Sequence, residues 1–454
     1  MLLEGDEAWI GAPRAAVGSL RSGYVERFER TSGSWQFIER IDCPAPRPGA
    51  MFGATIARDG TRVAVGAPRL LPLGGSDFGA VFVFVRSMGV WTLEDRVDPP
   101  VAGTRDFGHS IALDGDLLVV GDPEFGQSGT GTSAEPGAAF FFERTPTGYQ
   151  HVSTFEGAPG SETAIGSAVA TGRVGTTTVV AVGAEAASQF LGRVDVLVET
   201  QGVWTAAASA LVPPSAAIGA AGLGASLDFS GERIVAGAPF LQIFGSGSNS
   251  GGAVVFEPEV SGQASSWRMT DVLVGLDGEP NALVGWSLEA DDGRVALGAP
   301  QAVVGSDYIG RAVVLDPTAS GSTTVRAGVP NVTGVPATLA FRGSTSVATN
   351  LAWFEAADLP TPSFCLGVYG QRGFPFPLGG GLLCIDTAPP GITRFTPPIA
   401  IDPAGGARLD IDFAGLPPAT AIVGNSAWTF QCWYRDANPL GSNLSEAVEV
   451  RFCP

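Results

Sequence analysis

The chain has 454 residues, with 63 Gly, 34 Pro and only 16% charged residues, a composition that suits many tight turns between short strands and not a helical protein. Its formal net charge is −19 with every basic side chain an Arg, which argues against a nucleic-acid backbone or an anionic membrane surface as partner. No uninterrupted apolar run reaches the roughly 18 residues of a membrane span, so none is expected.

A motif recurs from the first residues onward. A short turn and an apolar strand lead to Gly11-Ala12-Pro13, then to Gly66-Ala67-Pro68, Gly237-Ala238-Pro239 and Gly298-Ala299-Pro300. Degenerate copies stand at Gly121-Asp122-Pro123 and Gly183-Ala184-Glu185. An internal repeat of this length dictates architecture before any single residue is weighed. In the second copy Phe52-Gly53 opens the unit, a strand runs to the turn Asp59-Gly60, and Val63-Ala64-Val65 leads into the Gly-Ala-Pro corner. A polar loop then precedes Gly79-Ala80-Val81-Phe82-Val83-Phe84, and Trp91 and Leu93 close the unit.

The other copies keep the order. Openers are Phe107-Gly108, Ile165-Gly166, Leu223-Gly224 and Val284-Gly285; turns are Asp114-Gly115, Ser230-Gly231 and Asp292-Gly293. Third strands begin at Gly23, Gly137, Gly192, Gly252 and Gly310, and Trp35, Tyr149, Trp204 and Trp267 mark the fourth, with Thr323-Thr324-Val325 in that place in the last copy. Asp-Gly favours the two-residue hairpin turn because Gly tolerates positive φ. In the corner, Gly permits the bend and Pro removes the donor that would continue pairing. The 80–85 run is apolar on both faces, as in a strand buried on both sides. Four antiparallel strands per unit with both faces covered predict an all-β fold, a β-propeller of six or seven four-stranded blades over residues 1–330.

The first copy is shorter. By the spacing of the second copy its opener falls before Met1, so a blade incomplete at the N-terminus is expected, with a signal peptide and the missing strand encoded upstream; Glu4, Asp6 and Glu7 interrupt any signal-like apolar stretch.

Phe-Gly, turn, Gly-Ala-Pro, then Gly-x-Val-x-Val-Phe resembles the FG-GAP repeat of integrin α-subunit propellers and of many bacterial extracellular proteins. The resemblance covers residues 1–330 and implies a secreted or cell-surface propeller. Such repeats often carry an Asp-x-Asp-x-Asp-Gly calcium loop, because a hard cation needs several oxygens on one tight loop. Here the turns Arg58-Asp59-Gly60, Leu113-Asp114-Gly115-Asp116 and Ala290-Asp291-Asp292-Gly293 lack that pattern, so no metal or other cofactor is expected.

From residue 331 the rhythm stops. The end, Phe430-Gln431-Cys432-Trp433-Tyr434-Arg435-Asp436 followed by Ser442-Asn443-Leu444-Ser445, is similar to a C-terminal module of large secreted proteins of GC-rich bacteria, and a small β-sandwich is expected over 331–454. Cys43 stands alone, while Cys365, Cys384, Cys432 and Cys453 lack the close-paired spacing of a zinc site and suggest two disulfides and an oxidising compartment. Cys365–Cys384 with Cys432–Cys453 minimises loop length, each bridge being worth about 3 kcal/mol; connectivity stays open, as does the alternative of buried reduced thiols.

Candidate chemistry is sparse. His109 follows an opener and reads as a blade-edge residue; His151 falls in an outer strand, and neither sits in a nucleophile motif. Asp410 and Asp412 read as a solvated strand face. The glycine-rich stretch 245–252 leads into a strand and lacks a P-loop Lys, so it reads as a loop. The repeat positions Gly11, Pro13, Gly66, Pro68, Gly121, Pro123, Gly237, Pro239, Gly298 and Pro300 are structural. Recognition is expected from the loops after the corners, where Phe78, Phe125 and Tyr308 are the aromatic candidates for holding a sugar or peptide. The expectation is a monomeric, non-enzymatic, extracellular or cell-surface propeller that binds a protein or polysaccharide. The alternatives are an extracellular polysaccharide hydrolase or lyase and a structural envelope component.

Overall fold

The computed structural model describes residues 2–31, 33–71, 79–126, 136–158, 163–213, 221–241, 251–260, 262–274, 281–291, 294–304, 307–315, 322–326, 329–387, 391–424, 426–437 and 440–452. The described secondary-structure elements are nearly all strands, and the chain divides into two compact units. The first comprises residues 1–241, 251–269 and 281–313, and the second 242–250, 270–280 and 314–454.

The first unit is a β-propeller of antiparallel meanders, one per copy of the repeat. Blade 2, for example, runs Ile56–Asp59, Arg62–Gly66, Val81–Ser87 and Val90–Val97, each strand paired to the next. Blades 1, 3, 4 and 5 have the same four-strand order, and blade 6 has three described strands, Ser287–Asp291, Arg294–Ala299 and Arg311–Leu315. The third strand shows why no alternation appears in the sequence. Phe82 and Phe84 share a core with Trp9 and Val25 of blade 1, while Val81 and Val83 share one with Phe107, Leu118 and Phe140 of blade 3. Fourth-strand aromatics pack backward onto the preceding blade. Trp91 meets Trp9 edge-on at 5.0 Å, and Trp204 stacks on Phe141 at 5.0 Å. Trp35 of blade 1 is exposed.

Successive blades are joined by glycine. Within a copy the opener glycine N–H donates to the corner glycine carbonyl: Gly53 to Gly66 at 2.9 Å and Gly224 to Gly237 at 2.9 Å. Between copies, the corner glycine of one blade lies against the opener glycine of the next. A Cβ on Gly11 would stand 1.9 Å from the Gly53 carbonyl oxygen, and one on Gly183 2.0 Å from that of Gly224. Third-strand glycines form the other half of the joint. Gly79, at φ +104°, is bridged in parallel to Phe107, and Gly137 to Ile165 in the same way. In blade 5 the residue in this role is Gly251, with the strand beginning at Gly252.

Two strand readings need correction. The innermost strand of blade 1, expected to lie outside the chain, is present as the three residues Leu2–Glu4, so that sheet has four described strands. Thr323-Thr324-Val325 does not close blade 6. The strand Ser322–Arg326 pairs instead with Ala447–Arg451 in the second unit.

That unit packs two sheets around one core. One is built on Phe364–Gly370, Ala427–Arg435, Ala447–Arg451 and Ser322–Arg326, the other on Thr338–Gly343, Ala352–Ala357 and Ala407–Ile411. Phe354 of the second sheet meets Phe430 of the first at 4.5 Å. Strand parity assigns the motif residues. Phe430, Cys432 and Tyr434 enter this core, while Gln431 points to the other face. There its Oε1 accepts from Cys384 N at 2.7 Å and its Nε2 donates to the carbonyls of Leu382 and Ser445. Asn443 Nδ2 donates to buried Asp436 at 3.3 Å, and Asp436 accepts from Val332 N. The polar residues of the terminal motif are therefore internal ties.

The same parity overturns the Cys365–Cys384 pairing. Cys365 is a free thiol, as are Cys43 and Cys432. Cys365 lies opposite Tyr434 on the core face, one diagonal step from Cys432, to which its thiol is hydrogen-bonded. Cys384 sits on the strand Gly381–Ile385, which packs on the Gln431 face. Cys453, and with it the Cys432–Cys453 pairing, lies outside the described residues. Non-reducing peptide mapping is expected to return no Cys365–Cys384 linked peptide, and recovery of one would contradict the parity argument.

The glycine joint makes a second prediction. Gly183→Ala drives a methyl into a backbone carbonyl that cannot rotate away. It is expected to lower stability by about 2 kcal/mol or more, read from a chemical denaturation midpoint at unchanged m.

Candidate functional site

Opener and corner are hydrogen-bonded to each other, so the residues that follow them gather at one end of the blades. At this end, on blades 2 to 4, the structure brings together the positions at which the repeat departs from its own pattern. His109 stands directly after an opener, Asp122 replaces the corner Ala of copy three, and Glu185 replaces the corner Pro of copy four.

Asp122 is fully buried and holds the loop that carries the opener. Its Oδ2 accepts from Arg105 N at 3.0 Å, and its Oδ1 accepts from Asp106 N and Glu124 N, both at 3.1 Å. Burial raises its pKa to about 7, outweighing those three donors, with the neighbouring Asp106 charge adding to the rise. Asp106, 6% exposed, is gripped from two sides: His109 Nδ1 lies 2.8 Å from Oδ2, and Arg69 Nε lies 3.0 Å from Oδ1. Arg69, from the loop after the blade 2 corner, also bonds Glu124 at 2.8 Å. One seat thus joins three blades through Arg69, Asp106, His109, Asp122, Glu124 and Glu185.

The electrostatics follow from this geometry. Burial lowers the His109 pKa, but the hydrogen bond and charge of Asp106 outweigh it, with Glu185 and Asp122 adding, so the imidazole titrates above its ordinary value. Burial raises the Glu185 carboxyl, and the His109 charge opposes that rise. The His109 side chain is 44% exposed, and its Nε2 has no partner among the described residues. A half-exposed imidazole fixed through Nδ1 by a buried carboxylate can donate to, or exchange a proton with, whatever approaches from solvent.

The remaining candidates are distributed elsewhere. His151 lies in an outer strand with Nε2 2.8 Å from Thr154 Oγ1, packs against the Phe142 ring at 5.6 Å, and has its pKa lowered by burial. Phe125 packs edge-on against Phe140 at 5.3 Å and serves the core between blades 2 and 3. Phe78 and the stretch 245–250 lie outside the described residues, and the Tyr308 backbone forms a short ladder with Val303. Asp410 pairs with Arg408 at 2.9 Å, and Asp412 caps Ala414 N.

The hairpin turns at the opposite end use their carboxylates on neighbouring backbone. Asp59 Oδ2 accepts from Gly115 N at 2.6 Å, and Glu232 Oε1 accepts from Gly175 N at 2.8 Å. Among the described residues, no group of three or more His, Cys, Asp or Glu is placed to hold a metal ion. No described helix is long and apolar enough to cross a membrane.

Sequence reasoning missed one further repeat position. The residue two after the opener glycine carries a hydroxyl in four of the five openers: Thr55, Ser110, Ser226 and Ser287. Thr55 Oγ1 donates to the Gly108 carbonyl at 2.9 Å, Ser110 Oγ to that of Gly166 at 2.8 Å and Ser226 Oγ to that of Gly285 at 2.8 Å, each in the next blade. The signal was present in the sequence as Phe/Leu/Val-Gly-x-Ser/Thr.

No family model and no curated protein matches the sequence. Among solved structures the chain is similar to the β-propeller domain of the Trilobed protease from Pyrococcus furiosus, described as having an open velcro topology. The two are 12% identical with a TM-score of 0.38, over 78% of this chain and 87% of that one.

The chain has two histidines, which makes the site directly readable. In proton–carbon correlation spectra, His109 is expected to titrate above and His151 below the ordinary value of 6.5, and Asp106→Asn should carry His109 downward while leaving His151 in place. The sign for stability follows by linkage. His109 stabilises the fold fully below 6.5 and loses that contribution as pH rises through its folded value. Asp122 binds its proton more tightly in the fold, so its contribution is lost as pH climbs from 3.8 through about 7.

Proposed function

We propose that the chain is an FG-GAP-type propeller, secreted or displayed at the cell surface, whose corner end binds a protein or polysaccharide without turning it over, the second unit serving as accessory or attachment module. The observation that carries this reading is the half-exposed His109 bonded to buried Asp106, which Arg69 from a neighbouring blade grips from its other oxygen. Stacking of blades does not require this arrangement, because other copies manage with Ala, Ser or Trp at the His109 position and Ala at the Asp122 position. With Asp106, Asp122, Glu124 and Glu185 facing Arg69 and His109, the seat suits a hydroxyl-rich glycan or a basic peptide group over an anionic ligand. The repeat pattern and the glycine joint that needs both of its glycines support the FG-GAP assignment. No cofactor is assigned.

The test is a glycan array and a surface-protein array probed with wild type and His109→Ala. Binding at least tenfold weaker in the variant is the expected result, whereas equal binding by both proteins would remove the site from the proposal. A second reading, a polysaccharide hydrolase, is favoured by the His109–Asp106 pair alone, since a carboxylate-oriented imidazole is a general-base arrangement. Turnover of a polysaccharide panel that disappears in His109→Ala would select it.

A further inference from the structure

Cys365 and Cys432 are neighbours on one face of the second unit's larger sheet. Their strands, Phe364–Gly370 and Ala427–Arg435, pair antiparallel, with Cys365 across from Tyr434 and Gly367 across from Cys432. The two cysteines therefore stand one diagonal step apart on the same side of the ladder. Both belong to the core between the two sheets, and both are 2% exposed. The Cys432 thiol donates a hydrogen bond to the Cys365 sulfur. Cys43 and Cys384 do not compete for either of them. Cys43 lies in the core of blades 1 and 2, and Cys384 is tied through its N–H to Gln431 Oε1 on the opposite face of the sheet. A diagonal step in an antiparallel pair spans about 7–8 Å between Cα atoms and somewhat less between Cβ atoms. Disulfides bridge Cα separations up to about 6.8 Å. The thiols already meet, so the two strands need draw together only slightly.

We propose that Cys365 and Cys432 close into a disulfide when the chain folds in the presence of a disulfide oxidant such as glutathione disulfide, tying the strand Phe364–Gly370 to the strand Ala427–Arg435. One cysteine thiolate attacks the oxidant, forming a mixed disulfide and expelling one oxidant thiolate. The second cysteine thiolate attacks the protein sulfur of that mixed disulfide, the Cys365–Cys432 bond forms, and the other oxidant thiolate leaves. Two cysteine thiols give up two electrons and two protons, and the oxidant becomes two thiols. Both sulfurs are buried in the finished core, so the exchange precedes docking of the facing sheet. The bond closes a loop that contains the strands Gly381–Ile385 and Ala407–Ile411, the second of them in that facing sheet. Cross-linking a long loop removes freedom from the unfolded chain and so favours the fold. The inference is independent of binding at the His109 seat.

The experiment uses the full chain, unfolded and reduced, then refolded either with glutathione disulfide or with a phosphine reductant. Remaining thiols are alkylated, and the protein is digested with trypsin without reduction. Cleavage after Arg342, Arg372, Arg394, Arg408 and Arg435 places Cys365, Cys384 and Cys432 on separate peptides. The oxidised sample is expected to yield peptide 343–372 joined to peptide 409–435, two hydrogens lighter than their sum, and the reduced sample to lack it. Reductant is also expected to lower the melting temperature of the oxidised wild type by about 5 °C or more, and that of Cys365→Ala by clearly less. Cys432→Ala serves if Cys365→Ala misfolds. Recovery of both cysteines alkylated from the oxidised sample overturns the proposal, as does a peptide joining either of them to another cysteine. An equal fall of the melting temperature in wild type and variant overturns it too, since the bond would then not tie the strands.

Discussion

Everything in the first unit depends on one backbone contact, the approach of a corner glycine to the opener glycine of the following blade. The distances leave no room for a Cβ, so both positions must be glycine before any side chain is chosen. Once the contact is made, the sheets lie face to face, and the third strand must be apolar on both sides. That is why Phe82 and Val83 are adjacent in sequence yet belong to different cores. The hydroxyls of Thr55, Ser110 and Ser226 then satisfy the carbonyl that the contact would otherwise bury without a donor.

Against this rule the irregular copies become informative. Gly121-Asp122-Pro123 and Gly183-Ala184-Glu185 keep the corner glycine and change its neighbours. The joint survives, and the altered side chains fall at its margin, where three blades converge. Asp122 shows the balance of forces. Three backbone donors favour its charged form, burial opposes it, and burial prevails. A charge held so close to neutrality organises the loop beneath His109 while the exposed imidazole meets solvent.

Much of this was legible in the sequence, and the remainder fails for identifiable reasons. Strand order in blades 2 to 5, the turns Asp59-Gly60, Asp114-Gly115 and Ser230-Gly231, and the double-sided third strand follow from local patterning and appear where expected, while Asp292-Gly293 lies outside the described residues. The seat around His109 was invisible because Arg69, Asp106, His109 and Glu185 are brought together only by stacking of blades, and each looked singly like an edge or loop residue. The cysteines misled because loop length ignores which face of a sheet a residue points to. Cys365 and Cys384 are close in sequence but separated by the sheet between them. Thr323-Thr324-Val325 reads equally well as the last strand of a blade or the first of the next unit, and pairing with Ala447–Arg451 decides it.

The glycine joint carries no identity code. Its partners are a carbonyl, a methylene and a hydroxyl, the same in almost every copy, so the joint by itself does not tell one neighbour from another, and discrimination falls to the facing side chains such as Trp91 on Trp9. Covalent order along the chain adds to that discrimination, with each blade meeting the next because it is tethered nearest. Such a joint tolerates duplication or loss of whole blades, provided the third strand stays apolar on both faces. The corresponding hazard is exchange between molecules, since the backbone joint alone would accept a blade offered by another chain.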